Sequence, residues 1–159
     1  MAYPVSTIPA AYAYLFNAFQ TQLNTDPTAD QILLFTGDDP GPNAPNDLVA
    51  IVNVVRQLEH FAMVGDGEDL AMYEKYSIYV KFSSAQRAAS QLEAATYLVP
   101  RVWKLLSYCE YAVRLDPALG GIVLTAWPGM TQDGLVAVAT DMNGWLCELT
   151  WQVDIEATQ

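Results

Sequence analysis

Histidine is almost missing from this chain: His60 is the only one among 159 residues. A lone histidine excludes a multi-histidine metal centre within one chain. In Glu59-His60-Phe61 it reads as a structural or surface residue rather than the base of a Ser-His-Asp set. Cysteine is scarce too. Cys109 and Cys147 belong to no Cys-x-x-Cys, so both read as small buried hydrophobes rather than redox or metal groups. Basic residues number seven against 18 acidic ones, a net charge of −11. Arg56, Lys75, Lys81, Arg87, Arg101, Lys104 and Arg114 are scattered, whereas nucleic-acid binding needs them clustered. Tight nucleic-acid binding is therefore not expected, although repulsion of DNA fits the charge. No apolar run approaches the roughly 18 residues of a membrane span. The start Met1-Ala2-Tyr3-Pro4 lacks the basic opening and apolar core of a secretion signal, so a cytosolic product is expected.

Phosphate-cradling loops are missing as well, neither Gly-x-Gly-x-x-Gly nor Walker type. Asp38-Asp39 and Asp66-Gly67-Glu68-Asp69 are the best metal candidates, but neither has the alternating oxygens and closing glutamate of a calcium loop. Both read as solvated acidic loops. Paired carboxylates in a cleft stay open at this point, because sequence does not show which residues face one another. No catalytic, cofactor-binding or metal-binding residue is assigned. There is no internal repeat and no low-complexity tract.

What the chain has is apolar substance and pattern. Hydrophobic residues make up 52% and charged ones 16%, enough for one globular domain over residues 1–159. Residues 8–24 predict a helix with Pro9 in its first turn and a stripe of Ala11, Leu15, Ala18, Phe19 and Leu23. Residues 31–36 predict a short buried strand. Residues 37–46 carry three prolines and two glycines, hence a loop. Residues 47–55 predict a strand apolar on both faces; 56–64 are ambiguous between strand and coil. Residues 65–69 predict a second acidic loop. Met72 to Phe82 alternates, with Tyr76, Ile78, Val80 and Phe82 on one side and Tyr73, Lys75, Ser77, Tyr79 and Lys81 on the other.

The longest pattern runs from Ala85 to Val113, apolar at spacings of three and four. It predicts a helix of roughly 30 residues and 45 Å, capped by Ser83 or Ser84. Pro100 predicts a kink, or two helices meeting at Val99-Pro100. Asp116-Pro117 predicts the stop, and Gly120-Gly121 the reversal into a strand over 121–127. A turn at Pro128-Gly129, a strand over 135–139 and an Asn143-Gly144 turn follow. In the last strand Trp145, Cys147, Leu149, Trp151, Val153 and Ile155 alternate with Glu148, Thr150, Gln152, Asp154 and Glu156. Strands grouped this way predict an α+β fold: a mostly antiparallel sheet with the N-terminal helix and the long helix packed on one face. Nine tyrosines and four tryptophans occur, and Tyr73 and Tyr79 fall on the side of their strand that should be wet. Exposed tyrosine is typical of protein interfaces. The bland alternative packs these rings under a helix or loop.

Helix 8–24, the strand ending in Phe35-Thr36-Gly37-Asp38, the proline-rich loop, Asp47-Leu48-Val49 and the Glu74-Tyr76-Ile78 strand resemble the tail terminator (minor tail, U-like) proteins of long-tailed bacteriophages. So does the junction Asp116-Pro117-Ala118-Leu119-Gly120-Gly121, the most specific part. The order covers residues 8–156, while Pro100 and segment 128–143 depart from the family pattern. The resemblance implies an α+β subunit of a ring, usually of six, without catalysis or cofactor. Such a ring caps the head-proximal end of the tail tube, halts its polymerisation and later joins the head. The implied partners are further copies of the chain, the tube protein and a head-completion or neck protein. DNA would pass through the lumen without specific binding, no membrane would be involved, and the site would be the virion tail after assembly in the bacterial cytoplasm. On this reading Tyr73, Tyr79, Asp38, Asp39, Asp66, Glu68 and Asp69 are candidates for contacts with neighbours or tube, or for the lumen wall. Two rivals stand beside it: another head–tail joining or tail-tube protein, and a monomeric ligand-binding or enzymatic domain with its pocket between helix and sheet.

Overall fold

In the computed structural model, residues 5–60, 72–140 and 144–158 are described. The chain is α+β, with a five-stranded mixed sheet and two helices. Helix α1 spans Ile8–Leu23 and strand β1 Ile32–Thr36. Strands β2 (Asp47–His60) and β3 (Met72–Arg87) precede helix α2 (Gln91–Leu115), and β4 (Thr125–Thr140) and β5 (Gly144–Thr158) close the order. The sheet runs β1-β2-β3-β5-β4. Only the β1–β2 pair is parallel; the others are antiparallel.

The apolar stripe of α1 does what its spacing implies: Ala11, Leu15, Phe19 and Leu23 are buried. On the same side of the sheet lie Leu98, Val102, Leu105 and Cys109 of α2, packed on Phe82, Leu149 and Trp151. Phe19 and Phe82 each put a ring 6.1 Å from Trp151. One face of the sheet is thus the core, and none of the described helices lies on its other face. Both cysteines are buried and unpaired. Burial pushes the Cys109 thiol well above its ordinary value, as a core cysteine should behave.

Several expectations shift. Helix α2 starts at Gln91, not near Ser84, because Ala85, Gln86 and Arg87 pair with Leu146, Trp145 and Gly144 of β5. The cap is Ser90, whose Oγ accepts from the Glu93 backbone N–H at 3.2 Å. Ser84 instead is buried and donates to Asp47 at 2.5 Å. Two helices do not meet at Pro100: α2 is one element, with Pro100 on its exposed side. Residues 122–124 are not strand, and Leu124 is exposed. Pro128-Gly129 is no turn; β4 runs through it, with register shifts between Pro128 and Thr131 and beyond. As an edge strand β4 tolerates a proline that a central ladder would reject. Strand β2 extends to His60, but its outer half is wet, with Val55 and Leu58 exposed. The Asn143-Gly144 turn and the acidic loop at 65–69 lie outside the described residues.

Candidate functional site

Of the sequence-predicted residues, Tyr73 and Tyr79 lie on the face that the described helices leave bare. Cross-strand partners share a face, so register assigns the rows. Tyr73 lies opposite Glu59 and Thr158, Lys75 opposite Gln57 and Glu156, Ser77 opposite Val55 and Asp154, and Tyr79 opposite Asn53 and Gln152. Tyr73 and Tyr79 are half-buried on this face, not covered by a helix. Lys75 pairs with Glu59 at 3.0 Å and Glu156 at 3.8 Å, and Lys81 with Glu148 at 3.1 Å. Asp38 borders a groove of about 250 Å³ at the β1 side of the face, together with Pro40, Lys81 and Glu148. Asp39 is exposed and accepts from the Gly41 N–H at 2.8 Å, so it shapes its own loop. Asp66, Glu68 and Asp69 fall outside the described residues.

At the opposite side of the face, next to β4, a second groove of about 260 Å³ runs between Val55 and Trp127. Its floor is Ser77 and Asp154. The Ser77 hydroxyl donates to Asp154 Oδ1 at 2.5 Å and the Gln152 amide to the same oxygen at 2.8 Å. A third, apolar hollow lies at the free edge of β1, where Tyr12 and Phe16 of α1 flank Phe35.

On the core side, the structure joins charges that no local pattern signals. Arg101 of α2 donates from Nε to Asp47 at 2.8 Å, from Nη1 to Asp26 at 2.8 Å and from Nη2 to Thr28 at 2.9 Å. Tyr108 adds its hydroxyl to Asp26 at 2.8 Å. Burial alone would raise the Asp26 carboxyl, but the bonds from Arg101, Thr28 and Tyr108 outweigh it and hold it well below the usual carboxylate range. The Tyr108 hydroxyl is pushed up to about 12 by burial and by that same carboxylate. The only hints in sequence were Asp26-Pro27-Thr28, a turn-forming run, and an arginine at the margin of the α2 apolar stripe.

A second such cluster fixes the start of α1. Glu74, fully buried, accepts from the Thr7 N–H at 2.8 Å, the Thr7 hydroxyl at 2.7 Å and Arg56 Nε at 2.7 Å. A carboxylate at a helix N-terminus also meets the positive end of the helix dipole. The Asp116-Pro117-Ala118-Leu119-Gly120-Gly121 junction is likewise structural. Asp116 accepts from Tyr14 at 2.7 Å and from the Gly120 N–H at 2.8 Å, tying α1 to the end of α2. Gly120 has φ +69, and a Cβ there would come 3.3 Å from the Tyr14 ring. These clusters are held by their own partners, which suits positioning rather than turnover.

Among the described residues no group of three or more His, Cys, Asp or Glu is placed to hold a metal ion. None of the described helices is long and apolar enough to cross a membrane. No protein-family model matches the chain, and neither does any curated protein. Among solved structures it is similar to a chain in the virion of a native gene transfer agent particle. That likeness has 12% identity over 93% of this chain and 98% of the other, with a TM-score of 0.35. A likeness at that level carries nothing about what this chain does.

Proposed function

We propose that residues 1–159 form one domain of a phage virion, a ring-forming tail terminator. It caps the head-proximal end of the tail tube, ends tube polymerisation and makes the joint to the head. The observation that carries the reading is the half-covered sheet. Five strands bury one face under α1 and α2, while the other presents Tyr73, Tyr79, Val55 and Trp127 among paired charges. A face that mixes aromatic rings with tethered charge suits a protein partner better than water. Resemblance in element order and in the Asp-Pro-x-Leu-Gly-Gly junction supplies the kind of partner: further copies, six by the family pattern, then tube and neck proteins. The net charge of −11 lets DNA slide through a lumen without sticking.

Another joining or tube protein would use the same bare face, and only the partner separates it from a terminator. The monomeric ligand-binding or enzymatic rival has a specific difficulty. It needs a pocket between α2 and the sheet, and that space holds Leu98, Val102, Leu105, Cys109, Leu149 and Trp151, each with no exposed surface.

The test is the mass of the purified protein by size exclusion with light scattering over a concentration series, alone and with purified tail tubes. A species near six subunits, or capture on tube ends with arrest of growth, is the expected result. Tubes that neither bind the protein nor stop growing would sink the terminator reading.

A further inference from the structure

We propose that neighbouring copies of this chain lock together by seating Arg87 of one copy in the Val55–Trp127 groove of the next. The inference rests on the ring reading above. The groove has apolar walls, since Val55 is 54% and Trp127 40% exposed, and a carboxylate on its floor. That carboxylate is fixed in place. Ser77 and Gln152 hold Asp154 Oδ1, and Gly129 lets Oδ2 come close, since a Cβ there would lie 2.3 Å from it. Asp154 has no cationic partner among the described residues. Lys75 at the same groove is already shared between Glu59 and Glu156. A groove walled by Val55 and Trp127, with a prearranged carboxylate that no described cation pairs, matches a planar guanidinium, which can stack on the indole while its N–H groups meet the acid.

The chain also supplies the matching cation. Arg56 is bound to Glu74, Arg101 to Asp26 and Asp47, and Arg114 lies 3.9 Å from Glu110. Arg87 has no carboxylate partner among the described residues and is exposed at the far end of β3, paired with Gly144. Ten residues separate it from Ser77 on the same strand, roughly 33 Å at 3.3 Å per residue. It cannot reach its own groove, so the contact joins two molecules. Groove and arginine stand at opposite ends of one sheet, which is the arrangement of a head-to-tail contact that closes a ring.

The test uses Arg87→Glu and Asp154→Arg, each alone and mixed in equal amounts, weighed by light scattering, on tubes if the free wild type stays monomeric. Each variant alone is expected to need at least about tenfold more protein to assemble, as for loss of a buried interface charge pair. The mixture is expected to recover, because Arg87 meets Asp154 at one joint and the reversed pair meets at the next. Asp154→Asn and Trp127→Ala, with thermal unfolding of every variant, separate a lost contact from a lost fold. If Arg87→Glu assembles as the wild type does, or folded variants fail to recover on mixing, the inference is wrong and the ring reading stands. If the wild type never assembles, with or without tubes, both fall. A wild type that stops at two copies, and is broken by either variant, keeps the contact and overturns the ring.

Discussion

The two faces of this sheet use the same chemistry to opposite ends. Behind it, Arg101 is clamped between Asp26 and Asp47, all nearly out of water, with hydroxyls filling the remaining positions. In front, Lys75 and Lys81 meet Glu59, Glu156 and Glu148 with every side chain more than a third exposed. A buried charge without its partner is costly, so the rear network dictates how α2, the turn after α1 and the start of β2 sit together. An exposed pair is worth little to the fold and stays available to a neighbour. Charge behind the sheet specifies structure; charge in front adds little to the fold.

That contrast can be broken most severely at Arg101. Arg101→Met leaves two buried carboxylates uncompensated and is expected to cost about 3–5 kcal/mol by urea unfolding. Acid attacks the same side next. Asp26 and Glu74 titrate below their ordinary values of 3.8 and 4.5 in the fold. For a lowered carboxylate the stabilisation is complete above the unfolded value and is lost as pH falls through the folded one. The urea midpoint should therefore fall as pH drops below about 4.5, and less steeply in Arg101→Met, where Asp26 loses its strongest partner. A flat wild-type profile from pH 7 to 3 would deny these clusters their role. Pro100→Ala tests the helix between the two regions. Pro100 withholds a backbone N–H on the exposed side of a continuous helix, so alanine should gain about 1–3 kcal/mol. The smallest change in stability belongs to the front. Lys81→Ala should cost less than about 1 kcal/mol, and a larger loss would erase the distinction between the faces.

Strand β5, the buried side of β3 and the stripe of α1 were legible because each repeats at the period of its own backbone, two or 3.6 residues. The start of α2 was not. Ala85, Ala88 and Ala89 continue the helical spacing, yet residues 85–87 are held by β5 some sixty positions away in the chain, and long-range pairing overrides local propensity. Pro128-Gly129 misled for a related reason: it looks like a turn, but an edge strand absorbs it with a shift of register. Of the candidate site, Tyr73 and Tyr79 were placed on the correct face by alternation alone. Trp127, Val55 and Asp154 were missed as a group, since they come from β4, β2 and β5 and meet only through the pairing of those strands across β3.

By itself, then, the sequence settled which residues of α1, β3 and β5 are buried, where α1 and α2 end, and the surplus of negative charge. These are local or additive properties, written in spacing and composition. In the first turns of α2 it marked Leu92, which is exposed, and passed over Ala94 and Leu98, which are buried. Which charges neutralise one another, and which arginine is left without a carboxylate among the described residues, was decided only when the tertiary structure set Arg101 against Asp26 and Asp47 and carried Arg87 to the end of the sheet. Electrostatic partnership depends on separations of a few ångströms between residues as many as 81 positions apart, as in Lys75 and Glu156, and no periodicity along the chain encodes that distance.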